Sequence, residues 1–212
     1  MNKIALPYST KNFRLVPISE TDREFHYRIH SNPQIMKFVG GTLSKKKANS
    51  AFDYLLKQLK SKEPLFLTWI VIEKTSNKKI GIQTLFWYLH EEVKQDPIFK
   101  TEGQPEIGIL LDSTVQGREY AVEAMGSLVQ YTFFLLKANY INLYYYNKHR
   151  NTINFINKLG SIFDREFQPQ LPEWGYQYLL SQMWHFEFID NLVELNEAYK
   201  LRTIDNFVYR KE

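Results

Sequence analysis

Residues 106–125, EIGILLDSTVQGREYAVEAM, carry an apolar run through a polar turn with one glycine into a helical pattern. A strand that feeds the first turn of a helix leaves several backbone N–H groups without intrahelical partners, with the positive end of the helix dipole behind them. Such a turn suits an anion, and a phosphate above all. Gln116, Gly117 and Arg118 match that chemistry, whereas Glu119 brings a negative charge to the same place. Glu119 reads in two ways. It caps the helix and complements its dipole, paired with Arg118, or it repels the phosphate and weakens binding. Tyr120 and Ala121 then open the helix.

Other reactive residue types are sparse. Cysteine is absent, which excludes disulfides, thiolate catalysis and cysteine-ligated zinc. The five histidines, at 26, 30, 90, 149 and 185, show no metal-ligand spacing. His26 and His30 stand one helical turn apart, but HYRIH lacks the acid of a zinc-protease motif, so no metal is expected. Aromatic residues cluster at Phe86, Trp87 and Tyr88 and again at Trp174 and Tyr176. They are placed either to wall a small pocket or to anchor the core.

The elements that must position these residues follow from periodicity. FRLVPI (13–18) is a short strand, and SETDREFHYRIHS (19–31) a helix with a capping pattern at its start. SKKKANSAFDYLLKQLK sets Ala48, Phe52, Leu55, Leu56 and Leu59 on one stripe of a second helix. LTWIVIEKTSNKKIGIQTLFWY reads as two strands around a turn, and the polar stretch 89–105 as a loop before the strand at 106. A deeply packed helix over about 118–137, a strand at 141–146, a short helix at 151–159 stopped by Gly160 and a long final strand at 176–189 complete the order. With 212 residues, 44% hydrophobic, the chain supports one substantial core, placed at 1–190. The remainder, 191–212, carries Leu192, Val193, Leu195 and Phe207 and is expected to pack on the domain or on a second copy as a homodimer. No stretch has signal-peptide or membrane-span length, so a cytoplasmic protein is expected, and a charge of +4 without a basic tract argues against a nucleic-acid partner.

The order β-α-α-β-β-β-α-β-α-β, with NFRLVPISETD, KIGIQTLFW, PEIGILLDSTVQGREYAVEAM and NKHRNTINFINKLGSIFDREF in succession, resembles the GCN5-related N-acetyltransferases, in the branch typified by the RimJ/RimL ribosomal-protein alanine acetyltransferases. The likeness spans roughly residues 11–190. It implies an α/β (α+β) fold with a mixed, mostly antiparallel twisted sheet of about six to seven strands flanked by helices. It also implies transfer of an acetyl group from acetyl-CoA to a primary amine, without a metal. The branch form WGKGYATEA aligns with Gln116 to Ala121, keeping the first glycine and the alanine and placing Glu119 at the second glycine.

The resemblance also assigns roles. Backbone groups of the fourth strand, in the run Ile107 to Leu111 and at Leu110 and Leu111 in particular, would hold the pantetheine arm where two parallel strands splay, with an N–H near Leu110 polarising the thioester carbonyl. The tyrosine that many relatives carry four residues before the KLG glycine is replaced by Ile156. The branch's Asn-x-x-Ser places His149 at the asparagine and Thr152 at the serine, whose hydroxyl meets the coenzyme sulfur. Thr152 reads equally as a structural residue at a helix start, while Asn151 reads as the N-cap and is counted with the cofactor-binding residues. Glu106 is the candidate base through a water, with His149 the competing one. Trp87, Tyr88 and Trp174 are expected to wall the acceptor pocket. The departures at Glu119, His149 and Ile156 together motivate an alternative, a non-catalytic acyl-CoA sensor or interaction module.

Overall fold

The computed structural model describes residues 3–87, 104–115, 120–165, 169 and 172–208, with side chains described as far as Arg202. In β2 (Phe13–Pro17), Phe13 and Leu15 are buried while Arg14 and Val16 face outward, a strand covered on one face. β3 (Phe66–Glu73) and β4 (Lys79–Phe86) are buried over most of their length, because both of their faces are covered. They form an antiparallel pair whose turn places Asn77 in the left-handed region at φ 55°, which asparagine tolerates. β5 (Glu106–Leu111) pairs antiparallel with β4 along its whole length. The chain then crosses through α4 (Tyr120–Phe134) to β6 (Tyr140–Tyr146), which runs parallel to β5. With β1 (Tyr8–Ser9), β7 (Ile162–Phe163) and β8 (Trp174–Leu180), the sheet has, among the described residues, eight strands in the order β1-β2-β3-β4-β5-β6-β8-β7.

Helices cover the sheet in two layers. On one face α1 (Arg23–Ser31) and α3 (Lys45–Leu59) seat Phe25, Ile29 and Phe52 on Ile70 of β3 and Ile82 of β4. Phe52 is fully buried, which contributes about 1.5–3 kcal/mol relative to exposure. The short α2 (Pro33–Met36) follows α1, with Asn32 accepting from the Gln34 N–H at 2.9 Å. On the other face α4 packs Leu128, Val129 and Tyr131 over Leu15, Trp69, Leu85, Ile107 and Ile141. α5 (Arg150–Lys158) ends at Gly160, whose φ of 78° suits glycine. α6 (Leu192–Val208) buries Leu195 in the core of this second face.

The fold matches the expected class, with two local differences. β1, β7 and α2 are two to four residues long and carry no period to read. The final strand ends at Leu180, followed by a 3-10 turn at Ser181–Met183. The alternating WHFEFI beyond it looks like a strand, but its backbone bonds to a side chain instead. Gln130 Oε1 on α4 accepts the N–H groups of Phe188 and Ile189 at 2.7 and 2.9 Å. Gly126 makes this approach possible, since a Cβ there would come within 2.3 Å of the Phe188 ring.

Candidate active site

The parallel strands β5 and β6 meet at a single register pair among the described residues, Glu106 opposite Asn142. The Asn142 N–H donates to the Pro105 carbonyl at 2.8 Å, and beyond this rung the two strands part. The phase of the ladder says which groups face the gap. Asp112 N–H donates to Ile80 O at 2.7 Å, so Gly108 and Leu110 direct their backbone groups to β4, and Ile109 and Leu111 direct theirs toward β6. Buried strand groups normally have ladder partners. Here Ile109 and Leu111 have none on β6, which leaves a slot lined by backbone donors and acceptors. Leu110, expected to supply the donor, is opposite Ile82 on β4. The gap-facing groups belong to its two neighbours.

The V formed by β5 and β6 is closed at Glu106 and Asn142 and open at the strands' C-terminal ends. Ligands of α/β sheets bind at such ends, where neighbouring strands diverge. One limb leads through the 3-10 turn Ser113–Val115 to α4, and the other through a tight turn to α5. Asn147 secures that second turn by donating from Nδ2 to the carbonyls of Pro172 and Trp174 at 2.9 and 3.0 Å.

In the first turn of α5 the Thr152 hydroxyl and His149 Nδ1 share a 2.6 Å hydrogen bond. The His149 ring stacks on Phe38 at 4.5 Å and 24°, and Phe38 also lies along Tyr146 at 5.8 Å. Burial holds the His149 imidazole below its ordinary pKa, so the neutral ring is favoured at neutral pH. His149, not Asn151, is the N-cap of α5; Asn151 lies in the first turn and is exposed. Ile156, where many relatives carry tyrosine, is buried in the core.

The face of β6 and β8 beside the V is aromatic. Asn142, Tyr144 and Tyr146 align there with Tyr178, Tyr176 and Trp174. The Tyr176 hydroxyl donates to Asn142 Oδ1 at 2.8 Å, and burial first, then the neighbouring Tyr144, raises its pKa. Trp174 is half-buried with its ring edge toward Tyr146 at 6.3 Å, close to the open end of the V.

The remaining candidates fall elsewhere. Trp87 sits in the core on the α4 side, 2% exposed, with the Lys3 ammonium over its ring, and is not on the face expected to wall the acceptor pocket. Strand alternation explains this, since Trp87 is one residue past Phe86, whose side chain shares the Glu106 face. Tyr120 donates its hydroxyl to Glu73 at 2.8 Å and packs against Phe13, while Ala121 is half-buried in the same helical turn. Tyr88, Gln116, Gly117, Arg118 and Glu119 lie outside the described residues. His26 of α1 stacks on His30 at 4.0 Å and meets Phe52 of α3 at 5.3 Å, a packing pair. The residues sequence patterns missed are Asn142, which required the strand register, and Phe38, which stands in an irregular segment after α2; Ile109 lay within the expected run, and the register singles it out.

Comparison with known proteins agrees with this geometry. The family of the acetyltransferase (GNAT) domain matches residues 12–162, and the chain belongs to that family. A GNAT-family acetyltransferase from Bacillus anthracis superposes with a TM-score of 0.63 at 17% identity, over 84% of this chain and 99% of that one. Spermidine N-acetyltransferase from Vibrio cholerae, solved with CoA and spermine, gives 0.61 at 16% identity over 81% and 96%. Ribosomal-protein-S5-alanine acetyltransferase from Vibrio fischeri gives 0.64 at 12% identity over 86% and 100%. Comparison with curated proteins finds no match. At these identities the structural likeness establishes the fold alone.

Proposed function

We propose that this protein transfers an acetyl group from acetyl-CoA to a primary amine, a protein N-terminus or a small-molecule amine, by direct attack with both substrates bound. The observation that carries the reading is the single rung at Glu106 and Asn142, beyond which β5 turns the backbone of Ile109 and Leu111 to an open slot. A flexible amide-bearing arm can take up those donors and acceptors as an extra strand would. Acetyl-CoA supplies the thioester, and the Ile109 or Leu111 N–H is placed to hold its carbonyl oxygen.

Glu106, at the closed end, accepts the amine proton through a water. Thr152, on the far limb, hydrogen-bonds the departing sulfur. A thiol ionises near pH 8.5, so the thiolate leaves with the help of a hydrogen bond and without a strong acid. The loss of the usual tyrosine at Ile156 is then tolerated. The hydroxyl at Thr152, at the branch's serine position, supports the RimJ/RimL-like branch, while His149 departs from its asparagine. The Gln116–Ala121 turn, joined to α4, would take the diphosphate. The two enzymes named above, acting on spermidine and on a ribosomal-protein alanine, support an amine acceptor without choosing between these kinds.

The test incubates the purified protein with acetyl-CoA and a panel of polyamines, amino sugars and peptide N-termini, measuring thiol release and acetylated product together. Matched release and product support the reading. Tight CoA binding with no thiol release over the panel overturns it in favour of a non-catalytic acyl-CoA binder.

A further inference from the structure

Two contacts place the helical arm formed by α1, α2 and the segment to residue 43 across the open end of the V. At the β5 limb, Arg28 of α1 pairs with Asp112 at 3.8 Å. At the β6 limb, Phe38 lies flat against His149 and along Tyr146. The arm itself rests on β3 and β4 through Phe25 and Ile29, so Phe38 reaches from one half of the sheet to the other. Its ring meets the imidazole whose Nδ1 is 2.6 Å from the Thr152 hydroxyl.

We propose that Phe38 is a positioning residue for acyl transfer, holding the His149 ring so that Nδ1 stays on Thr152 and the threonine hydroxyl is aimed by the arm that straddles the cleft. The proposal rests on the acetyltransferase reading for its catalytic half. A stacked imidazole is restrained in the torsion that turns its ring, and its ring nitrogen fixes where the threonine oxygen turns. With the proton on Nδ1, the ring donates to Thr152 and leaves the hydroxyl hydrogen for a departing sulfur. With the proton on the other nitrogen, the threonine donates to the ring and turns away. The tautomer therefore decides whether the hydroxyl is available, and the ring plane set by Phe38 decides whether Nδ1 stays within reach of it. The arm that carries Phe38 also contributes α1, which closes the same face, so its placement and the state of Thr152 are linked through one stack.

The charged and titratable groups near this stack are Lys37, whose ammonium lies 5.2 Å from the Phe38 ring, Lys148 and Arg150 beside His149 in sequence, and the Tyr146 phenol. Burial of the imidazole, to which Phe38 contributes, depresses its titration.

The test compares wild type, Phe38→Leu and Phe38→Tyr, using 15N NMR of the histidine rings in the full chain and steady-state kinetics. Phe38→Leu is expected to move the His149 titration upward toward that of a solvated imidazole, and to lower kcat about tenfold with KM for acetyl-CoA within about twofold. Phe38→Tyr, which keeps a flat ring, is expected to restore both. An unchanged His149 titration in Phe38→Leu overturns the positioning role, as does a moved titration with full turnover. A wild-type protein that transfers no acetyl group overturns the functional reading, and with it the catalytic half, whereas the ring measurement is made without any substrate.

Discussion

Glu106 and Asn142 face one another at the only described rung between β5 and β6, and the Asn142 side chain is held there by the Tyr176 hydroxyl at 2.8 Å. The Glu106 backbone is thereby placed at the closed end of the slot, in register with a buried amide that cannot itself take a proton. If Glu106 receives the amine proton, Glu106→Gln lowers kcat by about 10²–10⁴ and leaves acetyl-CoA binding unchanged. It also flattens the acid limb of the pH–rate profile. Retained turnover with an unaltered profile returns Glu106 to a structural role.

The ladder phase makes a second prediction that side chains do not. Ile109→Pro removes an N–H aimed at the slot and breaks no bond to β4, whereas Leu110→Pro removes one that pairs with Ile82. Ile109→Pro should keep a native circular dichroism spectrum and lose about 10²–10³ in kcat, as expected when one carbonyl donor is deleted. Leu110→Pro should lose fold stability first. If the two variants are equally folded and equally active, backbone donors of β5 do not serve the reaction.

The turn at Gln116–Ala121 is tested by two changes with opposite expected signs. Gly117→Val should weaken acetyl-CoA binding by calorimetry, because a branched side chain blocks close approach of the backbone to a phosphate. Glu119→Gly separates the two readings of that glutamate. Tighter binding shows repulsion of the diphosphate, and unchanged affinity with a lower melting temperature shows a helix-dipole role.

How far the sequence carried this molecule depends on what kind of signal each feature leaves. The α3 stripe from Ala48 to Leu59 and the glycine stop after α5 were legible because a 3.6-residue period and a left-handed residue are local properties. Thr152 and His149 were legible only through the resemblance, and their hydrogen bond confirms that they are neighbours without showing what they do. The divergence of β5 from β6 leaves no trace in composition, since Ile107 to Leu111 would read the same in an ordinary buried strand. Trp87 illustrates the limit for aromatics. Its pattern with Phe86 gives two neighbouring rings, and only the register shows that they face opposite layers.

A fourth prediction concerns acid stability. His26 is 1% exposed, stacked on His30 and against Phe52, near the Arg23 guanidinium that pairs with Asp53. Burial first, then the positive field of His30 and Arg23, pulls its pKa down to about 3. The unfolded chain takes up a proton near pH 6.5 that the folded chain refuses. Stability is therefore complete above pH 6.5 and falls as pH drops from 6.5 toward 3, by roughly 3 kcal/mol at pH 4.5. Urea unfolding of wild type and His26→Phe at pH 7 and pH 4.5 measures this. The variant should lose roughly 3 kcal/mol less than wild type, and equal losses would assign the acid sensitivity to other groups.

The last prediction concerns residues 191–212. α6 buries Leu195 against the α4-side core, with Leu192 and Tyr199 packed at its margin, and Asn191 Oδ1 accepts the Ser9 N–H at 3.0 Å. Asp190 N–H in turn donates to Ser9 O at 2.9 Å, so the helix is fastened to the first strand at its entry. A chain ending at Asp190 loses one fully buried leucine and uncovers the apolar surface beneath it, for a cost of roughly 3 kcal/mol. The melting temperature should fall by roughly 6–12 °C, and Leu195→Ala alone should reproduce most of that loss. Val193 and Leu201 stay exposed on α6, at 75% and 65%, and are the residues a second copy would cover if the protein is a homodimer. Sedimentation of the full chain, of the chain ending at Asp190 and of Leu201→Glu separates the two roles of the helix. A full chain that sediments as a monomer rejects the dimer. A dimer that Leu201→Glu dissociates without lowering the melting temperature of the subunit shows that the buried face of α6 serves its own fold and the exposed face serves the partner.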